Sequence, residues 1–176
     1  MSKKINQKYL TIGIVVVALI VAIGGIFLFT SQSNGVKTIT QEYFNFSIAS
    51  NWEETESMSA FVYAPKNGEN KESITITSTS LGGFSFDWAL PLQQSLEGYK
   101  ILMPDMLLGK TSDWDNGKIS GKEVQFSGTR RGVKMNIDQI FAIKSGVLYS
   151  ITYTCVDNCK YSEVFEGVKE SFTPLL

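Results

Sequence analysis

VKMNIDQIFAIKSGVLYSITYT, residues 133–154, holds two runs with a period of two. Val133, Met135, Ile137, Gln139, Phe141 and Ile143 share one side of the first run, opposite Lys134, Asn136 and Asp138. In the second, Val147, Tyr149, Ile151 and Tyr153 alternate with Ser150, Thr152 and Thr154. Side chains along a strand point to opposite faces in turn, so each run reads as a strand. Ser145-Gly146 between them is a turn, and the two strands pair antiparallel as one step of a meander.

The same pattern extends outward on both sides. Thr129-Arg130-Arg131-Gly132 turns the chain before Val133, Val124 and Phe126 mark a strand with Gly121 as a bulge, and Asp115-Asn116-Gly117 makes a hairpin tip. Farther back, Phe44, Phe46 and Ile48 alternate ahead of Trp52. Phe61 and Tyr63 form a second strand, ended by Pro65 and the Asn67-Gly68 turn; Ile74 and Ile76 alternate with Thr75, Thr77 and Thr79 in a third, half-buried one. Trp88, Leu92, Leu96 and Tyr99 share one helical face, with Asp87 as a cap and Pro91 as its start or a bend. The apolar segment ILMPDMLLG, residues 101–109, has no period; it reads as a buried loop or as a Met-rich flap. Toward the C-terminus, Tyr161, Val164, Phe165, Val168 and Phe172 describe an amphipathic helix from Lys160 to Phe172. Asn158 is its expected cap and Pro174 its stop. The fold class is α+β: an antiparallel sheet covered by two helices, in one domain over residues 38–176.

Ahead of that domain, Leu10–Phe29 is uncharged over 20 residues, enough to cross a bilayer core of about 30 Å as a helix. Lys3, Lys4 and Lys8 precede it with no acidic residue, which puts the N-terminus in the cytoplasm. The expected organisation is a cytoplasmic tail over 1–9, a transmembrane helix over 10–29, a polar stalk over 30–37 and a domain outside the membrane. A cleaved signal peptide is the alternative, with Ser31-Gln32-Ser33 offering small residues for cleavage.

Composition narrows the chemistry. Beyond residue 30 the chain has 13 basic residues against 17 acidic ones, which argues against a nucleic-acid partner. It contains no histidine, so the commonest general base and transition-metal ligand are missing and the usual Ser-His triads are excluded. Cys155 and Cys159 are the only cysteines. Outside the cytoplasm they read as a structural disulfide, with free thiols or a redox pair as alternatives. Two cysteines alone do not make a zinc site. DWDNGKISGKE, residues 113–123, departs from a calcium loop at its fifth, sixth and last positions and reads as a hairpin tip. Glu53, Glu54 and Glu56 read as a solvated charge run on a loop, and Trp88 and Trp114 as core residues with pocket lining as the alternative. No catalytic or metal-binding set stands out.

The order of elements resembles the PsbP-like family, whose α/β/α sandwich is shared with Mog-type Ran-binding proteins and DcrB-like bacterial proteins. Phe44-Asn45-Phe46-Ser47-Ile48 followed by Trp52 is similar to the family's F-x-F-x-I-x-x-P-x-x-W opening, with Ser50-Asn51 in place of the proline. Ile151-Thr152-Tyr153 and the closing Phe165, Ser171 and Phe172 are similar to its last strand and helix. The resemblance covers residues 38–173 and implies the sandwich fold. The expected function is a non-enzymatic accessory or binding module, anchored in the cell membrane by its own helix. It needs no cofactor and has an unidentified protein partner in the cell envelope. A photosystem-associated subunit with a calcium or manganese role, which the resemblance implies, and a carboxylate-based metal-handling factor or enzyme are the alternatives.

Overall fold

The computed structural model describes residues 35–175 apart from 56, 58–59, 67–71, 83–87 and 158. The expected tail, the 10–29 span, most of the stalk, and the expected caps Asp87 and Asn158 lie outside the described residues. Among the described residues no helix is long and apolar enough to cross a membrane.

The described elements are β1 (Val36–Thr40), β2 (Phe44–Ala49), β3 (Trp52–Thr55), β4 (Phe61–Pro65), β5 (Glu72–Ser80), α1 (Ala89–Leu102), β6 (Leu107–Asp115), β7 (Ser120–Arg130), β8 (Val133–Lys144), β9 (Val147–Val156), α2 (Ser162–Ser171) and β10 (Thr173–Pro174). Seven strands form one antiparallel sheet in the order β3-β4-β5-β9-β8-β7-β6, and β1-β2-β10 form a second. The β7–β8 and β8–β9 hairpins are tight. Arg130 pairs Val133 and Lys144 pairs Val147, leaving two-residue loops. Both loops have positive φ at both positions: Arg131 at 53° and Gly132 at 82°, Ser145 at 50° and Gly146 at 75°. That is the type I′ turn, whose twist matches the strands it joins.

The large sheet is a central layer with a core on each side. On one face Ile74, Ile76, Ile140, Tyr149, Ile151 and Tyr153 meet Phe44, Phe46 and Ile48 of the small sheet and Phe165, Val168 and Phe172 at α2. On the other, Val124, Phe126, Ile137 and Phe141 meet Tyr99, Leu92 and Leu96 of α1. The chain is thus α+β with mostly antiparallel sheets and two helices. One outer layer is shared between α2 and the small sheet.

Several expectations change. β5 is not half-buried: Ser73, Thr75 and Thr77, on the α1 side, are at most 5% exposed, as are Ser150, Thr152 and Thr154 of β9 beside them. Central strands of a covered sheet lose both faces to the interior. Trp52 follows the Ser50-Asn51 turn and opens β3, so Glu53 and Glu54 lie on an edge strand and not on a loop, while Glu56 lies outside the described residues. Gly121 is not a bulge. It pairs regularly with Trp114 and Ala142, and the irregularity falls on β6 between Leu108 and Thr111. The first helix starts at Ala89, not Pro91, so the proline sits in the first turn, where no N–H partner is needed. The terminal helix runs Ser162–Ser171, shorter than expected at both ends. In the 101–109 segment Met103 and Met106 are fully buried, whereas Ile101, Leu107 and Leu108 are exposed.

Candidate functional site

The hairpin between β6 and β7 is built by its side chains. Asp115 Oδ1 accepts the Gly117 N–H at 2.6 Å, and Gly117 holds φ +78°, a conformation suited to glycine. Asn116 Oδ1 accepts the N–H groups of Lys118 at 3.1 Å and Ile119 at 3.2 Å. The other end of the same amide reaches the terminal helix. Asn116 Nδ2 donates to the carbonyls of Lys169 at 2.9 Å and Phe172 at 2.8 Å, and Lys118 Nζ donates to that of Ser171 at 3.1 Å. Carbonyls at a helix C-terminus lack intrahelical partners, and here the hairpin tip supplies them.

Between hairpin and helix lies a cleft of about 280 Å³ lined by Trp114, Asp115, Asn116, Glu166, Lys169 and Glu170. Trp114 belongs to the core yet also lines this cleft, so both sequence readings of it meet in one residue. Lys169 stands against the sheet, 2.8 Å from Glu123 Oε1 and 2.7 Å from Glu166 Oε1, with Nζ 5.4 Å from the Phe165 ring centre. Burial works against its charge, but the two carboxylates outweigh it and raise its pKa. Beside this cluster, Asp138 is pushed upward, first by burial and then by Glu123 and Glu166, with Gln125 and Lys169 opposing. The lysine's charge is therefore spent within the protein. Asp115, Glu166 and Glu170 outnumber Lys169 along the cleft and leave its lining negative, while the Lys118 ammonium on the Ser171 carbonyl offsets the helix C-terminus. A lining of this sign favours a positively charged group over an anion.

The other sequence candidates are dispersed. Cys155 and Cys159 form a disulfide with Cα atoms 5.5 Å apart, closing the loop between β9 and α2. Glu53 pairs with Lys66 at 2.7 Å, and Glu54 accepts the Tyr63 O–H at 3.1 Å. Trp88 is half-buried against the α1-side core. Among the described residues, no three Cys, Asp or Glu side chains come together as a metal site. Sequence reasoning missed Glu72, which is 2% exposed and accepts the N–H groups of Lys160 at 2.7 Å and Tyr161 at 3.0 Å and the Tyr153 O–H. A charged residue opening a β-branched strand was the available signal. It also missed the cleft, because Asp115, Asn116, Glu166 and Glu170 read as ordinary surface residues until the hairpin and helix are placed together.

No protein family's sequence profile matches the chain, and no curated protein sequence does. Solved structures do. The Ran-binding protein Mog1p of Saccharomyces cerevisiae aligns at 8% identity and a TM-score of 0.55, covering 80% of this chain and 95% of Mog1p. The fold is that of Mog1p. A protein of Bacteroides thetaiotaomicron aligns at 12% identity and a TM-score of 0.53 over 82% of this chain, which spans half of that larger protein. LpqN of Mycobacterium tuberculosis, involved in cell envelope biogenesis, aligns at 12% identity and a TM-score of 0.48, covering 80% of this chain and 90% of LpqN. At these identities the likeness is one of fold alone.

Proposed function

We propose that this chain is a non-catalytic binding module, tethered to the outer face of a membrane by residues 10–29, that engages a protein partner through the cleft between the β6–β7 hairpin and α2. The observation that carries this reading is the cleft itself: a concave, net-negative surface lined in part by Trp114 and held by the four hydrogen bonds of Asn116. Buried aromatic floors ringed by polar groups are what protein interfaces use as anchor points. The Cys155–Cys159 disulfide supports an oxidising location, and the uncharged 10–29 segment with lysines ahead of it supports the tether. Mog1p, a Ran-binding protein, offers a precedent for protein binding on this fold. A finer place among PsbP-like proteins is part of the proposal. The metal-handling and photosystem alternatives draw less support, because the carboxylates of the seam converge on Lys169 and not on a shared centre.

The test is site-specific photo-crosslinking in intact cells. A benzoylphenylalanine replaces Gly167 in the full chain, next to the lining residue Glu166 on α2 with nothing within 4 Å of an added Cβ, and in a control it replaces the exposed Lys134 on β8. A discrete adduct from position 167 and none from 134 is expected. Absence of any adduct, or the same adducts from both positions, overturns the reading.

A further inference from the structure

We propose that the cleft receives a single arginine side chain of the protein partner; the inference rests on the binding-module reading above and names its chemistry. A guanidinium is a flat cation that needs two things at once: an apolar surface for its faces and carboxylate oxygens for its N–H edges. The cleft draws both from its two sides, Trp114 and Asp115 from the hairpin and Glu170 from α2. Trp114 is 8% exposed and lines it together with the acidic residues Asp115 and Glu170.

The charges already present leave these two groups available. Lys169 is bound to Glu123 and Glu166, and neither Asp115 nor Glu170 takes part in an ion pair among the described residues. Asp115 uses Oδ1 to accept the Gly117 N–H, which holds its carboxylate in place. Asn116, pinned by both ends of its amide, keeps the hairpin at a fixed distance from the helix. The site is therefore preorganised, and little ordering is required when a ligand enters. Arginine is favoured over lysine because its guanidinium is more weakly hydrated and can stack on the indole while forking to a carboxylate.

The full chain in detergent micelles, with its three tryptophans carrying 5-fluoro labels, gives three fluorine resonances, assigned with Trp52→Phe and Trp88→Phe variants. The probes are N-acetyl-Gly-Arg-Gly-amide and its citrulline and lysine counterparts; citrulline keeps the shape of arginine without the charge. The Trp114 resonance shifts saturably with the arginine peptide. The other two bind at least about fivefold more weakly, as does the arginine peptide with the Asp115→Asn/Glu170→Gln chain. Added salt weakens the arginine interaction. No shift with the arginine peptide, equal binding of the citrulline or lysine peptide, or an unchanged affinity in the double variant overturns the inference. Such a failure with the crosslink at position 167 intact removes arginine and leaves the binding module; loss of both removes both.

Discussion

Glu72 and the backbone N–H of Lys160 meet at 2.7 Å across 88 residues of sequence. The same carboxylate takes the Tyr161 N–H at 3.0 Å and the Tyr153 hydroxyl. Helix α2 has no side-chain cap of its own, so a residue at the start of β5 docks the segment that leads into it. Glu72→Gln keeps the size but puts N–H donors where acceptors are required. Leaving buried donors unpaired costs about 2–4 kcal/mol in all. Thermal unfolding of the variant is expected roughly 10 °C below the parent. A melting point within a degree or two would mean that the docking is not needed.

The Cys155–Cys159 bridge closes the loop that Glu72 also holds. A ring this small removes little freedom from the unfolded chain, about 2 kcal/mol by loop entropy. The Cys155→Ala/Cys159→Ala chain should therefore stay folded, with its urea midpoint lowered and its m-value unchanged. Unfolding of that variant in buffer would show that the bridge carries far more than its loop length allows.

Gly121 is a position where the backbone leaves no room. A Cβ there would lie 2.0 Å from the Phe141 carbonyl oxygen and 2.8 Å from the Ala142 Cα, both main-chain atoms of the neighbouring strand. No side-chain rotation relieves that contact, so Gly121→Ala must push β7 away from β8. Overpacking of this kind costs about 1–3 kcal/mol and can cost more. Gly167→Ala is the control, on the open face of α2, where nothing lies within 4 Å of the added carbon. It should hold or raise the urea midpoint, since alanine favours a helix over glycine by about 1 kcal/mol.

Much of this fold was legible because its determinants are apolar and periodic. Phe44, Phe46 and Ile48 alternate in sequence and converge in one core, where Phe44 stacks on Phe172 at 5.5 Å and Tyr153 on Phe165 at 5.3 Å. The resemblance drew on these same residues, and for that reason it spoke of fold and not of function. What escaped was set by long-range contact. β10 is two residues long and exists because Thr173 and Pro174 lie beside Asn45 and Phe44, which no local pattern announces. The burial of Thr75 and Thr152 follows from their places in a central layer, and alternation alone leaves that face to solvent. Gly121 looked like a bulge because a glycine in a strand signals either a bulge or a close approach, and sequence does not separate the two. The cleft joins a hairpin tip to a helix 53 residues away, through bonds that depend on the whole sheet for their register.

Asp138 provides a prediction about pH. Its side chain shares the α2 side of the sheet with Glu123, Glu166 and Lys169, and burial, the largest influence, raises its pKa above the ordinary value of 3.8. A carboxyl group with a raised pKa holds its proton more tightly folded than unfolded. Its contribution to stability is thus greatest below the unfolded value and is lost as pH climbs through the folded one. Above that window the native chain carries an incompletely compensated, partly buried charge. Asp138→Asn removes this cost while keeping a polar group beside Gln125, its cross-strand neighbour. The variant is expected to melt above the parent at pH 7 and level with it at pH 3. The contrast should shrink in the Glu123→Gln background, because Glu123 is one of the charges pushing Asp138 upward. A variant less stable than the parent at pH 7 would mean that the Asp138 charge is favourable in the folded chain, with Lys169 outweighing burial.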